Sequence, residues 1–258
     1  MDWSLCFNLE IDQMKLAQIF ILAAAPCLLL ATVATAQATT VNVTAIDNID
    51  AAGLSSAVNV DPSGSGGGTL PLQINVTGSL YQFQYLSGGC NSDTNFSGYT
   101  YTDGNGLVGT GENVNSYGSI SAYITANAFS LVGVFLGPGG QTGPAPSPID
   151  FTTTGIGSNF TSLSPQIGQI FQIGDGYTSS DITRTYYVPT GATELYLGFA
   201  DAPGFNGDCG HFNDNGGSVN INVTAAPEPA PVTLLLAGSA LMGLVWFRNK
   251  RQARNLLG

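Results

Sequence analysis

The chain has 258 residues, of which 34 are Gly and 13 Pro, only 9% are charged, and the formal net charge is -11. Gly and Pro at that density argue against a helical bundle or coiled coil, and so few charges cannot clothe long amphipathic faces. Six Lys and Arg residues supply no basic groove, so nucleic acid is excluded as a partner. The charges are also segregated. Between Ala38 and Ala226 thirteen carboxylates face a single basic residue, Arg184, whereas Arg248, Lys250, Arg251 and Arg254 crowd the extreme C-terminus.

The first element is an export signal. Met14-Lys15 precedes an uncharged apolar run from Leu16 to Ala34, which closes on Thr35-Ala36-Gln37-Ala38. One positive residue, an apolar stretch and small residues at alternate positions define a Sec-type signal peptide over residues 1–38, with cleavage after Ala36 or Ala38. Asp2, Glu10 and Asp12 put negative charge where such signals carry positive, which places the translation start at Met14.

The secreted portion, residues 39–224, reads as strands. Val41 to Ile46, Leu70 to Val76, Leu80 to Leu86, Phe129 to Leu136, Ile182 to Val188, Glu194 to Phe199 and Ser218 to Val223 are apolar or alternate apolar with polar. Turn formers separate them, among them Gly137-Pro138-Gly139-Gly140, Pro189-Thr190-Gly191 and the flexible Asp61 to Gly68. No stretch here holds helical periodicity. The expected fold is all-β, an antiparallel β-sandwich of jelly-roll type.

Cys90 and Cys209 are the two cysteines that remain after export, and an even pair in an oxidising compartment predicts a disulfide. Closing so long a loop stabilises a fold by roughly 4 to 5 kcal/mol in the chain-entropy model. The bridge would tie the Gly88-Gly89-Cys90 segment to the loop that follows Asp201.

That loop holds the candidate site. Asp201-Ala202-Pro203-Gly204-Phe205-Asn206-Gly207-Asp208-Cys209-Gly210-His211-Phe212-Asn213-Asp214-Asn215 offers carboxylates and amides spaced by glycines, expected as a hairpin-like connection between two strands. Such oxygen-rich loops suit Ca²⁺, which takes six to eight oxygen ligands in flexible geometry. Zn²⁺ fits less well with one His and a bridged Cys. Asp, Asn and Gly are equally what turns are made of, so composition alone leaves a plain turn open. Elsewhere, Asp93-Thr94-Asn95 begins like an EF-hand loop but puts Gly104 at the bidentate position, and Asp175 with Asp181 lies on an ordinary Gly-rich turn rather than across a cleft. The reading is non-catalytic.

The order strand, Asp201-Ala202-Pro203-Gly204, loop, Asp214-Asn215-Gly216-Gly217-Ser218-Val219, final strand resembles the end of the calcium-dependent galactose-binding bacterial lectin family. The similarity covers Ile167 to Val223. It implies a small jelly-roll domain in which Asp201, Asp214 and Asn215 ligate Ca²⁺ by side chain, with a loop carbonyl near Asp208 as a further ligand. It also implies a sugar held directly by the ion. Asp201, with Phe205 and His211 as an apolar wall, forms the expected ligand-binding set. An extracellular polysaccharide is the implied partner; the alternatives are a matrix protein in which Ca²⁺ only stiffens the loop and, behind it, a polysaccharide hydrolase.

The last element is a sorting tail, residues 227–258. Pro227-Glu228-Pro229 precedes an uncharged apolar stretch from about Ala230 to Phe247, then Arg248, Lys250, Arg251 and Arg254. Eighteen helical residues span roughly 27 Å, enough for a single transmembrane helix across a hydrocarbon core of about 30 Å. The basic cluster stays cytoplasmic and places everything upstream across the inner membrane. This order of elements resembles the PEP-CTERM sorting signal of Gram-negative bacteria. The resemblance implies recognition by an exosortase after Sec export, removal of the tail, and delivery to the cell surface or beyond.

Overall fold

The computed structural model describes residues 36–56, 66–95, 100–101, 103–226 and 239. The predicted signal peptide, residues 61–65 of the turn expected from Asp61 to Gly68 and the predicted sorting tail lie outside the described residues. Residues Ala36–Glu228 form one unit, and it is all-β. Among the described residues no helix is long and apolar enough to cross a membrane.

Three sheets build the unit, most of their pairings antiparallel. The largest contains β1 (Gln37–Thr44), β3 (Leu80–Asn91), β4 (Thr100–Tyr101), β9 (Ser162–Leu163), β11 (Thr185–Tyr187) and β14 (Gly216–Ala226), with the last strand β14 held between β1 and β3. Along β14 the alternation is strict. Val219, Ile221, Val223 and Ala225 are buried and the residues between them are not, as a strand with one dry face requires. The second sheet orders β10 (Phe171–Gln172), β7 (Val132–Leu136), β12 (Glu194–Gly198) and β2 (Leu72–Asn75). In β7 every residue is buried, so its uninterrupted apolar run marks an interior strand rather than an edge. The third sheet orders β13 (Asn206–Gly207), β5 (Leu107–Val114), β6 (Tyr123–Ala128) and β8 (Asp150–Phe151).

The first two sheets face each other through aromatic rings. Tyr81 and Phe83 of β3 meet Phe135 of β7 and Phe171 of β10 at centroid separations of 6.0 and 6.5 Å, and Phe171 lies 4.9 Å from Tyr186 of β11. Each buried ring contributes on the order of 2 to 3 kcal/mol of apolar transfer. Arg184, the one basic residue between Ala38 and Ala226, is buried at the rim of this cluster. Its guanidinium donates to the carbonyls of Ile173 and Ser158 and lies over Phe160.

Two departures from the sequence reading matter. β5 and β6 form a hairpin that the hydrophobic pattern does not announce, because Gly109, Gly111 and the polar residues between them mask it. The segment expected as a hairpin after Asp201 joins strands of different sheets instead, β12 in the second and β14 in the first. It crosses the end of the fold and pairs on its way, in parallel, with β5 through Asn206 and Gly207. The segment from Gly137 to Pro148 is irregular, as expected. Its Gln141 reaches the carbonyls of Asp50 and Ala52 at 2.8 and 3.0 Å and pins the short 3-10 turn Ile49–Ala51 in place.

Candidate functional site

The crossover is anchored at both ends. At its start the Phe199 N–H donates to Asp47 and the Ile49 N–H returns to the Phe199 carbonyl, locking the end of β12 against the first 3-10 turn. At its close the Asn215 N–H donates to the Phe212 carbonyl, and β14 begins at Gly216. Between them Pro203–Phe205 makes a second 3-10 turn, with Gly204 and Phe205 both at positive φ. The Gly210 N–H donates to the Asp201 carbonyl and folds the far side of the loop back over Asp201.

This folding brings Asp201 and Asn215 together. Asn215 Nδ2 donates to Asp201 Oδ2 at 2.8 Å and to the Ala45 carbonyl at 3.4 Å, while Asn215 Oδ1 has no partner. Both residues are nearly enclosed, at 1% and 8% exposure. Asp214 lies at the rim, its Oδ2 3.4 Å from His211 Nε2 and its Oδ1 without a partner. Its carbonyl accepts the Thr94 N–H at 2.7 Å, which sets the Asp93-Asn95 turn beside it. That turn is an ordinary Asx turn, with Asp93 Oδ1 accepting from the Asn95 N–H.

The other expected residues divide. Asp208 is exposed and its carboxylate accepts from Asn115 Nδ2 at 2.8 Å, so its side chain belongs to the β5–β6 connection rather than to the Asp201 group. Phe205 is half-buried against the core, and His211 is partly exposed beside Asp214. Phe212, by contrast, is wholly buried. Cys90 and Cys209 are both buried as thiols. The covalent bridge expected between them does not form in this structure, and Cys209 instead sets its thiol against Asp50. Pro227, Glu228, Pro229, Arg248, Lys250, Arg251 and Arg254 lie outside the described residues.

Two acids join the site that the sequence does not single out. Asp50, in the 3-10 turn pinned by Gln141, is wholly buried, and neither carboxylate oxygen has a hydrogen-bond partner of regular geometry. Glu112 of β5 is 3% exposed. Its Oε2 accepts from the Phe129 N–H at 3.0 Å and its Oε1 has no partner. Burial drives the acids toward their protonated forms. It lifts Asp50 from 3.8 to about 7, partly offset by the Cys209 thiol, and lifts Glu112 from 4.5 to about 8, with the Asp50 charge adding to the rise. Asp201 is raised for the same reason, then further by the charge of Glu112, while its hydrogen bonds from Asn215 and Ala202 oppose the shift. The same burial, with the charges of Asp50 and Asp208, pushes the Cys209 thiol up and away from thiolate reactivity.

Chemically the site is a set of hard oxygen donors whose buried acids are held toward the protonated form. Among the described residues no three His, Cys, Asp or Glu side chains converge closely enough to enclose an ion by themselves. Neither a protein-family model, nor a curated protein, nor a solved structure matches the chain.

Proposed function

We propose that the chain is an exported, exosortase-processed surface or extracellular-matrix protein. Its β-sandwich, of jelly-roll type, serves as a non-catalytic Ca²⁺-dependent carbohydrate-binding module. The observation that carries the reading is the pairing of Asp201 with Asn215 across the crossover, beside Asp214, with Asn215 Oδ1 and Asp214 Oδ1 left without partners. Oxygens left unsatisfied where two chain segments meet are what a divalent cation takes. The ion's outward positions are then open to two vicinal sugar hydroxyls in place of water. His211 and Phe205 stand near the rim, where they can flank the ring. The two-sheet packing, with β1, β3 and β14 facing β7 and β10, supports the jelly-roll part of the reading.

The near-complete burial of Asp201 and Asn215 favours a second reading, in which the ion stiffens the crossover and carries no sugar. A glycan array probed with and without chelator separates the two. Binding abolished by chelator supports the module, and Ca²⁺ uptake with no glycan retained supports the stiffening role. Calorimetric Ca²⁺ titration tests the ground common to both. The expected dissociation constant is roughly 10⁻⁴ to 10⁻³ M, as in other extracellular modules, with the heat lost in Asp201→Ala.

A further inference from the structure

Six strands lie at sheet edges, and five of them are short: β2 has four residues, and β8, β9, β10 and β13 have two each. Brevity is one way to keep an edge from pairing with another chain, and Lys, Pro or a bulge are others. β1 has none of these. Its eight residues carry no charge and no Pro, and their register with β14 runs unbroken from Gln37 to Thr44. The phase of that pairing decides which backbone groups stay open. The Ala45 N–H donates to the Gly217 carbonyl, so the odd-numbered residues of β1 bond to β14 and the even-numbered ones point their N–H and C=O away. Thr44 agrees with this phase, for its N–H donates to Asp47 Oδ2 at 2.8 Å and its carbonyl accepts the Asp47 N–H at 3.0 Å. Asp47 thereby closes one end of the edge. The N–H and C=O of Ala38, Thr40 and Asn42 remain, all on exposed residues and without a backbone partner among the described residues. The Asn42 side chain lies back over the sheet, its Nδ2 donating to Ser218 Oγ and Asn220 Oδ1, and so does not cover the edge.

We propose that β1 is the contact between two copies of this chain, paired antiparallel about a two-fold axis at Thr40. The open positions are symmetric about that residue. Thr40 faces Thr40 of the second copy, and Ala38 faces Asn42 in both directions. Residues opposed in this phase exchange both backbone bonds, so the three pairs consume every open group. A register shifted one way sets Ala38 against Thr44, whose groups Asp47 already holds, and shifted the other way it sets Asn42 against Ala36, ahead of the strand. On the inner face Thr39 meets Val41 of the second copy, a β-branched pair of the kind sheets favour, and the half-buried Val41 gains cover. Charge points the same way. Between Ala38 and Ala226 thirteen carboxylates face one Arg, and such a surface resists self-association except along a neutral stretch such as β1. A two-fold contact uses up the edge in both copies, so assembly stops at the dimer, with the largest sheet continuous through it. The proposal does not rest on the crossover taking an ion.

Cysteine cross-linking of the full chain in mild detergent reads the register. Across a hydrogen-bonded antiparallel pair the Cα atoms stand about 5.5 Å apart, within reach of a disulfide. Under mild oxidation Thr40→Cys is expected to give a disulfide-linked dimer that the wild type, with Cys90 and Cys209 buried, does not give. Ala38→Cys and Asn42→Cys each stand about 13 Å along the strand from their own copy. Alone they should stay uncoupled, and co-expressed they should couple to each other. Equal coupling at all three positions marks random collision and overturns the inference, as does a Thr40→Cys that never couples. Light scattering supplies the second test, and a monomeric wild type overturns the inference outright. Thr40→Pro removes one outward N–H and leaves the bonds to β14 in place, so the dimer should be lost while the circular dichroism of the fold is kept. Should that variant not fold, Thr40→Lys sets like charges face to face at the axis and is expected to abolish the dimer. A dimer that survives Thr40→Lys overturns the inference. None of these readouts involves Ca²⁺, so the crossover reading stands or falls separately.

Discussion

Asp50 shows what a single residue imposes on the fold. It follows Asn48, whose Oδ1 accepts the Asp50 N–H at 2.9 Å, and the resulting 3-10 turn carries the carboxylate into the interior instead of out to water. The folded metal-free chain therefore holds protons on Asp50 and Glu112 that the unfolded chain releases near 3.8 and 4.5. With more protons bound in the native state, stability in chelator falls as pH rises from about 4 through about 8, while these two groups ionise in the fold. Urea midpoints across that window check the sign. A midpoint that rises with pH refutes it. Asp50→Asn, which keeps the shape and removes the ionisation, is expected to flatten the profile. Neither acid stands out in the sequence as part of a site. A faint signal exists for Asp50, a lone acid inside the weakly apolar Ile49-Asp50-Ala51-Ala52, while Glu112 is hidden among glycines.

At the scale of elements, legibility follows the hydrophobic pattern. β12 and β14 are read correctly because Leu195-Tyr196-Leu197 and Val219-Asn220-Ile221-Asn222-Val223 carry their burial in their own order. β7 is shorter at its start than the apolar run Phe129 to Leu136, because Phe129 adopts φ 55° and turns the chain into the strand. β5 has an exposed Val108 and two internal glycines, so its one-sided burial cannot be seen without its partner β6. Asp201, Asp214 and Asn215 were legible as a group, but their crossover between sheets depends on topology, which local pattern does not encode. Packing sets two expectations here. Gly217 has φ 89° and a Cβ added to it would stand 2.2 Å from the Gly89 carbonyl oxygen, backbone against backbone in the central pairing of β14 with β3. Gly217→Ala should cost about 2 kcal/mol or more, read from denaturant midpoints. Phe171→Ala removes a ring that touches Phe83, Phe135 and Tyr186 and should cost about 3 to 5 kcal/mol by the same measurement.

For the whole molecule the decisive feature is that the last strand is central rather than peripheral. β14 runs to Ala226 and pairs along its length with β3 on one side and β1 on the other, with Gln37 opposite Ala225 and Leu80 opposite Ala226. Processing that leaves the fold intact must therefore cut before Gln37 and after Ala226. Cleavage after Ala36 keeps all of β1, whereas cleavage after Ala38 removes its first two residues, so the first is the expected mature start. At the other end the Pro227-Glu228-Pro229 motif begins directly after the last paired residue, where a protease can act without unzipping the sheet. Replacing that motif with alanines should leave a full-length, membrane-bound form and abolish the shorter released form. Fractionation of the native host with intact mass measurement checks both ends at once. A plain transmembrane anchor gives a different result: the wild type itself stays full-length in the membrane, the substitution changes nothing, and the sorting reading falls while the folded unit is unaffected.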